Sequence, residues 1–478
     1  MQLICDREPA AFFRYFEEIS AIPRISYHEK EIADYLVSFA KAHGLEYVRD
    51  SVHNVFIRKP ATKGYEDREP LLLQGHTDMV GEKNADTEHD FLRDPLRLYL
   101  DGDLIRAKGT TLGADNGVAV AAMLCALDGT LKEHPMLECL FTSAEEVGLD
   151  GAKSFDYSNV RARRMVNLDS ESLGEIIAGC AGGIRSEISL KVDPIPFEGS
   201  ALRILISGLA GGHSGENIHE GRGNANKLMG RLLAETVEKC NARLVSVNGG
   251  SKDNAIPREC EAMIAVTDRD AAESVITDVA VAITRELCVL DRRFTVSCED
   301  ADAEAFMLGE QDTNRVVAML NGVANGVFAM NNSIEGLVEY SRNLGVVKTD
   351  LQSISFVFAS RSAMESRLDA SVGELNSWAR ALGGSAKHYA RYPGWEFAPC
   401  SPLREAYARA YHDITGKEVE VKVIHAGLEC GIIYASIAGM DIISIAPDLQ
   451  NLHSPEEALC VSSVEVFWKT FERLMKLL

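Results

Sequence analysis

The chain has 478 residues, 46% hydrophobic and 25% charged, and a formal net charge of −22. That length exceeds one ordinary core and predicts two to four units at roughly 150 residues each, while the acidic balance excludes a nucleic-acid groove, which needs clustered Lys and Arg. There is no apolar stretch of the ~18 residues that a membrane span needs, Met1 to Pro9 lacks the basic region and apolar run of a secretory signal, and the scattered cysteines include no C-x-x-C pair, which together predict a cytoplasmic protein with reduced thiols.

Apolar periodicity predicts helices over residues 9–19 and 28–43, separated by the Pro23-Arg24-Ile25-Ser26 break. Residues 47–58 and 70–74 have strand character, and the unbroken Leu71-Leu72-Leu73 run suits a strand covered on both faces. Asp115-Asn116-Gly117 opens a helix through residue 127 whose Ala and Val side chains allow close packing on a sheet. Residues 136–142 and 164–168 are further short apolar strands, each followed by acidic residues. Strand, polar tip and helix in alternation is α/β, and such sheets bind ligands at the carboxyl ends of their strands.

From residue 184 to 391 the pattern changes. Strand 201–206, helix 224–240, strands 242–247 and 259–267 and helix 271–287 are followed, in similar order, by segments 294–298, 314–323, 336–340, 353–359, 372–382 and 386–392. Two successive units of this kind predict an inserted α+β lid domain of two related, ferredoxin-like sheets. After residue 395 the first pattern returns, with helix 403–415, strand 419–424, helix 428–438, strand 442–446 and a final helix from residue 461. Ser454-Pro455-Glu456-Glu457 reads as an N-cap, Pro at N1 and a capping-box Glu. The expected fold is α/β: a discontinuous catalytic domain over residues 1–185 and 395–478, with a central mixed sheet flanked by helices, and a lid domain over residues 186–394.

Five segments place metal-binding side chains at or just past expected strand ends: Gly75-His76-Thr77-Asp78, Gly113-Ala114-Asp115-Asn116-Gly117, Ser143-Ala144-Glu145-Glu146, Asn167-Leu168-Asp169 and Asn451-Leu452-His453-Ser454-Pro455. Two histidines and several carboxylates suffice for two divalent ions sharing one carboxylate, an arrangement that generates a hydroxide nucleophile at neutral pH. Hydrolysis is therefore the expected chemistry. Alternate residues of an extended chain share a face, so Asp78 can fix the tautomer of His76. Adjacent Glu145 and Glu146 diverge, so one can bind metal while the other faces the attacking water. Asp115, in a Gly-rich turn before a helix, can reach two ions about 3.5 Å apart. Each segment alone has an ordinary explanation: a chance H-x-D, a solvated Glu-Glu turn, a helix N-cap, a strand end, a loop histidine. The weight lies in their coincidence in one chain.

In this order the motifs resemble those of the dinuclear zinc metallopeptidases that include carnosinases, aminoacylases, peptidase T and bacterial cytosolic dipeptidases. The likeness spans essentially the whole chain, and Ala210-Gly211-Gly212-His213-Ser214-Gly215-Glu216 and His425-Ala426-Gly427-Leu428-Glu429-Cys430-Gly431 support it. The resemblance implies one metal on His76 and Asp169, a second on Glu146 and His453, Asp115 bridging, Asp78 clamping His76, and a cis peptide at Asp115-Asn116. It implies that Glu145 is the general base and later the acid, and that His213 polarises the scissile carbonyl. By the same resemblance Asn254 and Arg361 contact the substrate carbonyl or terminal carboxylate. Gly427 offers its backbone to the substrate, and Glu429 meets a substrate amine or supports the first turn of a helix. The implied substrates are unblocked dipeptides, Xaa-His among them, and the implied ions are zinc, with manganese and cobalt as alternatives. Monomer and homodimer stay open, as does whether His213 serves its own chain or a partner's. An N-acyl amino acid amidohydrolase of the same group is the rival reading; a non-catalytic metal-binding paralogue is disfavoured by Glu145, which binding alone does not need.

Overall fold

A computed structural model describes residues 7–302, 304–332 and 334–478; the residues 1–6 read above for a secretory signal lie outside the described residues. Two compact units divide the chain: Met1–Cys180, Trp395–Val423 and Leu428–Leu478 form the first, Ala181–Gly394 and Ile424–Gly427 the second. Each has its own apolar core. No helix among the described residues is long and apolar enough to cross a membrane.

In the first unit, strands Leu71–His76 and Leu137–Thr142 are buried along their whole length, as a strand covered on both faces must be. They run parallel, with His76 opposite Thr142, and Arg164–Asn167 and Asp441–Ser444 extend the parallel set. The 47–58 stretch folds back on itself, Glu46–Arg49 pairing antiparallel with Val55–Lys59. With Glu175–Cys180 and Glu420–Ile424 these strands make an eight-stranded mixed sheet. Helix Ala114–Asp128 rests directly on it, so close that a Cβ on Gly75 would lie 2.3 Å from the Ala119 Cβ.

A second, four-stranded sheet in this unit has no counterpart in the sequence reading. Its order is Leu449–Gln450, Ala458–Cys460, Leu104–Ala107, Leu98–Asp101. Pairing of Ala458–Cys460 with Leu104–Ala107 brings the loop of His453 beside the segment leading to Asp115. It also overturns the capping-box reading of Ser454-Pro455-Glu456-Glu457. Those residues form turns, and the last helix, Val461–Leu477, begins only after the Ala458–Cys460 strand. Glu457 is instead drawn inward, to 2% exposure, by backbone amides of the Asp115 turn.

The second unit carries one nine-stranded sheet where two were expected. Strands Ser200–Ser207, Arg243–Gly249, Cys260–Val266 and Thr295–Ala301 make one half with helices Ala225–Cys240 and Arg269–Leu287. The 294–298 segment therefore completes the first half and does not open the second. The opening strand of the second half is Gly182–Lys191, which the sequence reading left unassigned; it pairs with Ser353–Ser362 and Ser385–Tyr392. The halves join where Gly249 meets Val347, and side chains seal the seam: the Thr349 hydroxyl accepts from Val247 N–H and donates to Val247 O, while Asn248 Oδ1 accepts from Thr349 N–H.

Candidate active site

His76 ends its strand at 1% exposure. Its Nδ1 lies 3.3 Å from the Asp78 carboxylate and 3.1 Å from the Asp78 carbonyl, and its Nε2 lies 3.0 Å from Asp115 Oδ1 and 3.5 Å from Asp169 Oδ1. An acceptor on Nδ1 fixes a proton there and turns Nε2 toward the acids. Asp78 also accepts the Ser26 hydroxyl at 2.8 Å and the backbone N–H groups of Glu145 and Glu146 at 3.0 and 3.3 Å, tying one strand tip to the next.

The Asp115 carboxylate is shared. Its second oxygen lies 3.1 Å from His453 Nε2, and the same nitrogen lies 3.0 Å from Glu146 Oε1. The Asp115–Asn116 peptide is cis. Asn116 donates to Asp169 Oδ1 at 2.6 Å and to the Leu168 carbonyl at 2.9 Å. His76, Asp115, Glu146, Asp169 and His453 are thus all brought together, with Asp115 between two imidazoles that each face a further acid. Ligand atoms of His76, Asp115 and Glu146 lie within 4.8 Å of one another.

The electrostatics are those of acids and imidazoles packed together away from water. Burial would lower the His76 imidazole, but Asp169 and the hydrogen bonds to Asp115 raise it well above its ordinary value. Hydrogen bonds to Asp115 and Glu146 push His453 up to about 10. Burial raises Glu145, Glu146 and Asp169, each also facing neighbouring carboxylates. The donor set of imidazole and carboxylate fits divalent cations.

Glu429 begins helix Glu429–Ser436 and is fully buried. One of its oxygens accepts from Gln74 at 2.5 Å and Thr142 at 2.7 Å, and Gln74 in turn accepts from Asn167 at 2.6 Å. It therefore braces the strands from within, and an open approach to a substrate amine is not available to it.

The second unit gathers the remaining residues. His213 Nε2 lies 3.3 Å from Arg361 Nη2, and Arg361 Nη1 donates to the Tyr392 hydroxyl at 2.9 Å. Arg361 is 4% exposed and its Nε has no partner. Burial, then the Arg361 charge, lowers the His213 imidazole and keeps it neutral. The Asn254 carbonyl accepts from Ser214 N–H at 2.8 Å, so its loop is joined to the His213 turn, while the residue itself is exposed. Gly427 lies against the Tyr392 ring, where a Cβ would meet Cε2 at 2.7 Å.

Sequence reasoning missed the residues that hold this frame. Glu29, 2% exposed, accepts from Ala144 N–H at 2.8 Å and fixes the turn before Glu145. Arg24, Glu457, Asn116 and Tyr392 likewise act on backbone or on other side chains. No spacing rule marks such residues; the one available signal was Arg24, a charge inside the Pro23-Arg24-Ile25-Ser26 break between two helices.

A two-unit α/β chain with imidazoles and acids at the carboxyl edge of a mixed sheet has the build of a metal-dependent hydrolase. Residues 54–178 match the family model "Peptidase family M28", and residues 204–287 match "Peptidase dimerisation domain". The chain is 38% identical over 480 residues to the cytosol non-specific dipeptidase of Escherichia coli (strain K12), covering 100% of this chain and 99% of that protein. Its fold matches the crystal structure of aminoacylhistidine dipeptidase from Vibrio alginolyticus with a TM-score of 0.94 at 36% identity, over 99% of this chain and 98% of that one. Aminopeptidase PepT from Bacillus cereus ATCC 10987 shares the fold alone, with a TM-score of 0.55 at 16% identity, over 97% and 98% of the two chains. The chain belongs to the metallopeptidase family of the cytosol non-specific and aminoacylhistidine dipeptidases.

Proposed function

We propose that the chain is a metal-dependent dipeptidase acting on unblocked dipeptides, Xaa-His among them, with two divalent ions held by the first unit. The observation that carries this reading is the Asp115 carboxylate, one oxygen toward His76 and the other toward His453. His76 and Asp169 would hold one ion, Glu146 and His453 the other, with Asp115 shared; zinc, manganese and cobalt all suit these donors. Ions bound there lower the pKa of water and polarise a peptide carbonyl.

The chain's own groups do the rest. Asp78 keeps the His76 proton on Nδ1 and aligns the Glu145 amide. Glu145, partly buried among other acids, takes the proton of the attacking water and returns it to the leaving amine. In the second unit, the Arg361 guanidinium receives the terminal carboxylate as a fork, and neutral His213 polarises the carbonyl oxygen. The Asn254 loop and the Gly427 backbone line the substrate, and Glu429 supports from beneath. In this reading the first unit is catalytic and the second recognises the substrate. A cytoplasmic location agrees with the free thiols of the described cysteines, and the match to a dimerisation domain favours a homodimer.

A panel of Xaa-His dipeptides, each paired with its N-acetyl form, tests the reading before and after chelation. Turnover of the free dipeptides is expected, lost on chelation and restored by Zn(II), Mn(II) or Co(II). Glu145→Ala should keep its ions and lose activity by about 10²- to 10⁴-fold. Preference for the N-acetyl forms would point to an amidohydrolase instead, and full activity in Glu145→Ala would remove the assigned base.

A further inference from the structure

The turn that carries Asp115 is gripped on two sides by buried, oppositely charged side chains. Glu457 accepts the backbone N–H groups of Leu112 at 2.7 Å, Gly113 at 2.9 Å and Asp115 at 3.1 Å. Arg24, 1% exposed, donates through Nη2 to the Gly113 carbonyl at 2.5 Å. Through Nη1 it donates to the carbonyls of Thr77 at 3.0 Å and Asp78 at 3.3 Å. One side chain therefore ties the tip of the His76 strand to the Asp115 turn, and the other fixes the amide of Asp115 itself.

Missing side chains make room for the guanidinium. A Cβ on Gly113 would lie 2.6 Å from Arg24 Nη2 and one on Gly117 would lie 2.9 Å from it, and Gly113 also has φ +65°, a conformation that glycine adopts without strain. Burial lowers Arg24 to about 10, with Glu457 and Asp78 opposing the fall, so it stays charged at neutral pH. Two charges without water carry a desolvation cost that apolar residues of similar size would avoid. What they supply in return is geometry: bonds to three amides and three carbonyls, all in the segments that deliver His76, Asp78 and Asp115.

We propose that Arg24 and Glu457 are positioning residues that set the place of the shared Asp115 carboxylate and thereby the tightness with which the ion pair is held. Their bonds go to backbone amides and carbonyls, and the role rests on the metal reading above. Orienting groups of this kind carry a large part of a metal site's affinity.

Cobalt(II) titration of the chelated full-length protein, followed by visible absorption and calorimetry, tests it in Arg24→Met, Arg24→Lys and Glu457→Gln. Glu457→Gln and Arg24→Met should bind the weaker-held ion at least tenfold less tightly and with an altered spectrum, while near-UV circular dichroism stays that of the wild type. Arg24→Lys should recover part of the affinity, because an ammonium reaches some of the carbonyls. If Arg24→Met does not fold, Glu457→Gln and Arg24→Lys decide. Wild-type affinity and spectrum in the folded variants overturn the proposal, as does a fall in uptake that only follows loss of folded protein. A wild type that takes up no cobalt overturns the metal reading itself, a result distinct from variants that match a metal-binding wild type.

Discussion

A carboxylate stripped of water on folding recovers that cost only from the groups it touches, and the acids beneath the strand tips recover it unequally. Burial would raise Asp78, but bonds from His76, the Glu145 amide and Ser26 hold it below its ordinary value. Glu429 has two donors on one oxygen and none on the other, and burial raises it to about 7. A folded-state value above the unfolded 4.5 means that the folded protein keeps a proton which the unfolded chain releases. The stability linked to Glu429 is thus full below pH 4.5 and is lost as pH rises through about 7. At about 1.4 kcal/mol per pKa unit the loss is roughly 3 kcal/mol. Glu429→Gln has no proton to release. Urea unfolding of chelated protein from pH 4.5 to 8 should show the variant gaining on the wild type across that window, and parallel curves would show that Glu429 titrates normally.

Among the elements, the seat of helix Ala114–Asp128 on strand Leu71–His76 decides where Asp115 and Asn116 stand. Contact is closest at Gly75, where a Cβ would lie 2.3 Å from the Ala119 Cβ and 2.5 Å from Asn116 Oδ1. The Ala119 Cβ is fixed to the helix backbone, and Asn116 is held by its bonds to Asp169 and Leu168, so Gly75→Ala must lift the helix. A loss of about 1–3 kcal/mol is expected from such overpacking, together with weaker cobalt uptake as Asn116 leaves Asp169. Thermal denaturation and the same titration check both effects, and unchanged values would show a softer contact than this packing implies. The residues proposed to bind ions were legible because their chemistry is distinctive and because strand ends are marked by the apolar runs before them. The Ser454-Pro455-Glu456-Glu457 turn was not legible, since its sequence satisfies a helix start as well. Long-range bonds from Glu457 to the amides of Leu112, Gly113 and Asp115 decided the matter, and no local pattern records them. The Gly182–Lys191 strand escaped for a related reason: its partners Ser353–Ser362 and Ser385–Tyr392 lie far along the chain.

For the molecule as a whole, the chain leaves the first unit after Cys180 and resumes it at Trp395. Cys180 and Trp395 exchange both backbone hydrogen bonds, at 2.9 Å each, and Trp395 is 2% exposed. The chain ends left by removing residues 181–394 are therefore already paired, and a short Gly/Ser link would close them at little entropic cost. All five proposed metal ligands and Glu145 stay in the excised protein; His213, Asn254 and Arg361 leave with the removed segment. Such a protein should unfold cooperatively and take up cobalt with a near-native spectrum. Its dipeptide hydrolysis should fall by at least about 10³-fold, because a reacting carbonyl that is neither positioned nor polarised loses most of its rate enhancement. Failure to take up cobalt would mean that the first unit does not build its centre alone. Hydrolysis near the full-length rate would take His213 and Arg361 out of the reaction and leave the second unit without the recognition role proposed for it.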